Sequence, residues 1–149
     1  MKIYLGADHN GFELKQKLRD SLERSGYSVV DEGDKDRKPD DDFPIFAERV
    51  VLAMLASTDP DSRGILICGS GQGMCMAANR FKRIRASLVW SAAEARAARN
   101  DDDSNVLCLP SRYIDTEEAV RLAGIWLTTP FAGAARFKRR IGELDGLGS

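Results

Sequence analysis

The chain has 149 residues, 43% hydrophobic and 30% charged, which is enough to bury one sizeable core and too few for two ordinary domains. Its 22 basic and 23 acidic side chains nearly cancel to a formal net charge of −1. No overall field exists to hold a nucleic-acid backbone or an anionic membrane, so any anion site has to be local. The cysteines Cys68, Cys75 and Cys108 are odd in number and form no C-x-x-C pair, which argues against a disulfide framework and for a reducing, cytoplasmic setting.

In chain order, the first apolar run is KIYLG (2–6). It is too short for the apolar segment of a signal peptide, and nothing later approaches a membrane span. Phe12, Leu14, Leu18 and Leu22 follow at helical spacing, with Gly26 as the stop. A second run, YSVVDEG (27–33), leads into DEGDKDRKPDDDF (31–43), which has almost no apolar content and reads as a solvated loop. Pro44 opens a second helix carrying Phe46, Val50, Val51, Met54 and Leu55. The runs GILICG (64–69), IRASLVW (84–90) and NVLCLP (105–110) complete five strands, and Asp115 or Thr116 is placed to cap a helix after the last of them. A helix over 134–143 would put Arg136 and Arg140 four apart on one face, and ELDGLGS (143–149) reads as a frayed tail.

Strands that are continuous apolar runs, alternating with helices, predict a doubly wound, Rossmann-like α/β domain: a five-stranded parallel sheet with helices on both faces and a C-terminal helix. Ligands of such sheets bind outside the carboxyl ends of the strands where the order reverses. For an expected order 2-1-3-4-5, that crevice lies between strands one and three. Strand one ends in GADHNG and strand three in CGSGQG, so the topology brings Asp8, His9, Cys68 and Ser70 together.

Gly69, Gly71 and Gly73 permit close backbone approach before a helix whose free N–H groups and positive dipole end suit an anion. Read alone, the glycines could simply serve a tight turn. A free cysteine at a strand end is often a small buried hydrophobe. Here the downstream helix N-terminus is expected to lower the Cys68 thiol from its reference pKa of about 8.5, and the acid–imidazole pair sits at the same mouth. His9 is the sole histidine and the cysteines are badly spaced for zinc, so no metal is expected. Cys75, Cys108, Met74 and Met76 read as core filling.

Five segments together carry a resemblance running from Met1 to about Arg140: GADHNGFELK, DDFPIFAERV, GILICGSGQGMCMAANR, NVLCLPSR and the late arginines. The sequence resembles the B-type ribose-5-phosphate isomerases and the related galactose-6-phosphate isomerase subunits. The resemblance implies a cofactor-free, metal-free aldose–ketose isomerase of a phosphorylated sugar, built as a homodimer or homotetramer with sites shared between subunits. It makes Cys68 the enediol-forming base and Ser70 the hydroxyl beside it. The N–H groups of residues 69–73, with Gly69, Gly71, Gln72 and Gly73, become the anion hole. Asp8 and His9 become the sugar-binding pair, Arg136 and Arg140 the phosphate clamp, and Arg112 a further ligand-binding arginine. One departure stands out: the family's His-Asn before the N-V-L strand, which opens the sugar ring, is replaced by Asp101 and Asp102. Asp101 opens the ring, His9 does, the sugar is another pentose or hexose phosphate rather than ribose 5-phosphate, the chain is a non-catalytic sugar-phosphate-binding subunit of a hetero-oligomer, or the aspartates are a solvated loop.

Overall fold

The computed structural model describes residues 1–148; Ser149, the end of the expected tail, lies outside them. The elements are β1 (Lys2–Ala7), α1 (Phe12–Arg24), β2 (Ser28–Asp31), α2 (Phe43–Ala56), β3 (Arg63–Cys68), α3 (Gln72–Ala78), β4 (Ala86–Leu88), α4 (Ala92–Asn100), β5 (Val106–Pro110), α5 (Thr116–Thr128) and α6 (Ala135–Asp145). All strand pairs are parallel, in the order β2-β1-β3-β5-β4.

The doubly wound class is as expected, but the last two strands are exchanged relative to 2-1-3-4-5. The reason is burial. β5 is buried along its whole length and takes a place inside the sheet, whereas the three-residue β4 is only half-buried and takes an edge. The strand expected over 84–90 shrinks accordingly. The amide of Asn79 accepts from the Ala86 N–H at 2.8 Å and donates to the Ala86 carbonyl at 2.9 Å, covering backbone groups that would otherwise be unpaired.

Alternate strand residues point to two separate cores, which is why each strand reads as a continuous apolar run. Ile65 and Ile67 face α1, α4 and α5, while Leu66 and Cys68 face α2 and α3. The anticipated caps are present: Gly26 is left-handed at φ +91°, Pro44 lies in the first turn of α2, and the Asp115 carboxylate accepts from the Glu118 N–H. Leu55 falls on the exposed side of α2 rather than in the core. The frayed tail begins later than expected: α6 runs through Asp145, whose carboxylate pairs with Arg85 at 3.4 Å.

Trp126 is the largest side chain with no exposed surface. Its Nε1 donates to Ser104 Oγ at 2.7 Å, and the guanidiniums of Arg63 and Arg99 lie 5.3 and 5.9 Å from its rings. Trp126→Ala opens a cavity between α5 and the sheet. It is expected to lower stability by about 4 kcal/mol, read as a drop in the urea midpoint at unchanged slope.

Candidate active site

β1 and β3 are neighbours in register Ala7↔Ile67, so Asp8 and Cys68 leave the sheet side by side. The Asp8 N–H donates to the Ile67 carbonyl at 3.3 Å. β5, displaced inward from its expected place, delivers Ser111 and Arg112 to the same mouth. The Ser111 N–H donates to the Cys68 carbonyl at 2.9 Å, and its Oγ donates to the carbonyls of Asn10 and Cys68. The Arg112 N–H donates to the Gly69 carbonyl at 2.9 Å. A Cβ on Gly69 would lie 2.9 Å from the Arg112 guanidinium, so only glycine lets that arginine cross the turn. Gly71, left-handed at φ +75°, packs so tightly against Leu88 that a side chain there would overlap it.

Cys68 is 5% exposed, at the top of the α2/α3 core. Burial is the largest influence on its thiol and raises the pKa above the ordinary 9.0. The backbone N–H groups of Met74, Gly71 and Ser70 lie near the sulfur and pull the other way, while the Asp8 charge adds to the rise. The expected lowering by the helix N-terminus is therefore present but outweighed. α3 has only seven residues, so its dipole is small beside the cost of desolvating a thiolate. Ser70 is half-exposed in the turn, and its Oγ accepts from the Gln72 N–H at 3.3 Å. Gly73 lies under the ring of Phe43.

Asp8 is nearly buried. Burial raises its pKa above the carboxylate value of 3.8, against the N–H bonds from Gly11 and Asn10 that stabilise its charge. His9 makes a 2.8 Å contact through Nδ1 with Asp41 Oδ1, and its own N–H donates to the same oxygen at 2.9 Å. The loop 31–43 is solvated over 35–40, as expected, but Asp41 and the first residues of the loop are engaged by the domain. The Lys15 ammonium, buried under that loop, donates to Asp31 and to the Asp34 carbonyl, and Arg37 donates to the His9 carbonyl. Asp41, Arg37 and Phe43 were not singled out from sequence because a mixed-sign charge run carries no periodicity.

The remaining candidates lie elsewhere in this chain. α4 runs back from the carboxyl ends of the strands, so Asp101, its C-cap, sits at their amino-terminal ends, the opposite end of the sheet from Cys68. Asp102 beside it is exposed. Asp103, left-handed at φ +47°, pairs with Arg99 and Arg85. The segment leading into α6 and the last residue of that helix are tied to the same far end of the sheet. The Ala132 N–H donates to the Asn100 carbonyl, and Asp145 meets Arg85 at the start of β4. Arg136 and Arg140 on α6 are exposed, and among the described residues no carboxylate pairs with either. One chain thus gathers Asp8, His9, Cys68, Gly69, Ser70, Gly71, Gln72, Gly73 and Arg112, and keeps Asp101, Asp102, Arg136 and Arg140 apart from them. Cavities of about 320 and 690 Å³ lie on the far side as well, around Arg63, Arg83 and Arg85.

Cys75 and Cys108 are not both inert filling. Cys108 is fully buried in β5, but Cys75 on α3 is half-exposed, and a hydrogen bond from the Cys108 thiol lowers it to about 7. Iodoacetamide at neutral pH is expected to label Cys75 before Cys68, which peptide mass mapping will show.

These features define a doubly wound α/β protein in which the carboxyl ends of β1 and β3, at the topological switch point, bring a thiol among backbone donors next to an acid–imidazole pair. The Ribose/Galactose Isomerase family model matches residues 3–144, and the chain belongs to that family. It is 42% identical over 142 residues to a probable ribose-5-phosphate isomerase B of Mycoplasma pneumoniae, covering 95% of this chain and 91% of the relative. The crystal structure of a ribose 5-phosphate isomerase from Thermotoga maritima superposes with a TM-score of 0.90 at 41% identity, covering 97% of each chain. The ribose-5-phosphate isomerase B of Mycoplasma genitalium, solved with bound ribulose-5-phosphate, gives a TM-score of 0.91 at 38% identity, covering 97% of this chain and 93% of that one.

Proposed function

We propose that this protein is a cofactor-free aldose–ketose isomerase converting ribose 5-phosphate and ribulose 5-phosphate through a cis-enediolate. The observation that carries the reading is the Cys68 thiol at the end of β3, near the N–H groups of Met74, Gly71 and Ser70 and beside Asp8, with His9 next to it in the chain. Starting from the aldose, the Cys68 thiolate takes the C2 proton. The released electron pair forms the C1–C2 double bond, and negative charge collects on O1. As charge leaves the sulfur, the donors of the glycine turn become available to the enediolate oxygen. Ser70 relays the proton between the two oxygens, and Cys68 returns its proton to C1. Asp8 and His9 bind sugar hydroxyls, and Arg112 holds the ligand from above Gly69.

The division of candidate residues between the two ends of the sheet supports a homodimer with shared sites. A second copy supplies Arg136 and Arg140 as the clamp on the phosphate, and Asp101 and Asp102 where the sugar ring must open. Ile45 and Leu52 on α2 and Met76 on α3 expose apolar surface on the layer that carries Cys68, as an interface requires. Reduced thiols fit a cytoplasmic enzyme, and among the described residues no helix is long and apolar enough to cross a membrane. The test is aldose–ketose conversion of ribose 5-phosphate by the purified protein, with a panel of pentose and hexose phosphates run alongside. Turnover of a hexose phosphate in preference to ribose 5-phosphate would transfer the assignment to that sugar and explain the altered residues 101 and 102.

A further inference from the structure

We infer that Asp41 is a positioning residue for the sugar site, acting entirely through His9. Resting on the isomerase reading, this assigns a task to the charged loop that precedes α2.

The geometry is specific. A single carboxylate oxygen, 32 positions along the chain, faces both the main-chain N–H and the ring Nδ1 of His9, at 2.9 and 2.8 Å. A carboxylate only accepts, so Nδ1 carries the hydrogen and Nε2 is the nitrogen left for a ligand. No described residue engages Nε2. The pair is well shielded, with the His9 and Asp41 side chains 25% and 11% exposed, so water competes weakly for the bond.

The chain on either side of Asp41 is anchored independently of His9, which makes this loop the fixed partner. Upstream, Asp34 is tied to α1 through the Lys15 ammonium and to α2 through Arg49. Downstream, the Phe43 ring packs on Gly73 of the glycine turn. Between these anchors, Arg37 Nε donates to the His9 carbonyl at 3.1 Å. Both the ring and the backbone of His9 are thus gripped by a loop whose own position is set by α1, α2 and the turn that carries Cys68. Without that grip the ring could rotate about χ1 and χ2 and change tautomer. Binding would then have to supply the ordering.

The test is a double-mutant cycle on the full-length protein with ribose 5-phosphate as substrate. Asp41→Ala is expected to lower kcat/KM about tenfold, the worth of one charge-assisted hydrogen bond, mainly through KM. In a His9→Ala background the same change should do nothing further. Asp41→Asn, which keeps an accepting oxygen, should recover part of the loss. Because His9 is the only histidine, its imidazole nitrogen resonances are unambiguous. They should report an Nδ1–H ring in the parent protein and a mixture of tautomers in Asp41→Ala. An equal loss from Asp41→Ala with and without His9, or unchanged nitrogen resonances, would overturn the assignment. A parent protein inactive on every sugar phosphate would instead sink the isomerase reading, and the resonances would still decide whether Asp41 sets the ring.

Discussion

Cys68→Ala is expected to lower kcat/KM for ribose 5-phosphate by roughly a thousandfold, the contribution of a well-placed base to a proton transfer from carbon. Neighbouring groups do not replace it. Asp8 is committed to the N–H groups of Asn10 and Gly11, and His9 is turned by Asp41. The fold should survive, since removing one sulfur at the rim of the α2/α3 core costs about 1 kcal/mol, and a thermal melt separates that from loss of chemistry. The pH dependence has a definite sign. Burial raises the Cys68 thiol above its ordinary 9.0, and only the thiolate accepts a proton. The rate of the parent protein should therefore climb with pH across the neutral range, by about tenfold per unit where the thiol is mostly protonated. It should still be rising at 9.0. A plateau near neutrality, or appreciable activity in Cys68→Ala, would place the base elsewhere. Alkylation is a poor substitute for this experiment, because Cys75, lowered to about 7, reacts first.

The crevice was legible in the sequence because it depends on two things that a linear pattern records. Continuous apolar runs announce strands covered on both faces, and the residues that stop each run fix what stands at its carboxyl end. Asp8, His9 and Cys68 follow from that, and so does Ser70. The exchange of β4 and β5 was not legible, because strand order depends on relative burial rather than on the presence of strands. Arg85 and Ser87, polar positions within the run 84–90, were the available signal that this strand belonged at an edge. The Asp41–His9 pair was hidden for a different reason. Its partners are 32 positions apart, and nothing in a run of mixed charges says which carboxylate turns inward. The direction of the Cys68 shift is not legible in sequence, because glycines and a helix start are visible there, whereas depth of burial is not. Asp101, Asp102, Arg136 and Arg140 were recognised through family resemblance, and their distance from Cys68 within one chain becomes apparent only when α4 and α6 are placed.

That distance leads to the second large effect, carried by Arg136 and Arg140 together. Each guanidinium contact to a phosphate is worth about 2 kcal/mol, so Arg136→Ala combined with Arg140→Ala should lower kcat/KM by roughly a thousandfold. Both side chains are exposed on α6, a helix with no buried residue, so the melting temperature should barely move. The informative step is to mix this double variant with Cys68→Ala under conditions that exchange subunits. If each crevice takes its thiol from one chain and its arginines from the other, a mixed dimer contains one site with every defect and one with none. Equal mixing places half the molecules in mixed dimers, so about one quarter of the parent activity should return from two nearly inactive preparations. Sites complete within single chains predict no recovery, because each chain then keeps its own defect wherever it is paired. Sedimentation of the parent protein as a monomer that still turns over ribose 5-phosphate would reject shared sites outright. The arginines of α6 would then have to reach Cys68 by moving the helix and the segment before it away from Arg85 and Asn100, which they meet at the far end of the sheet.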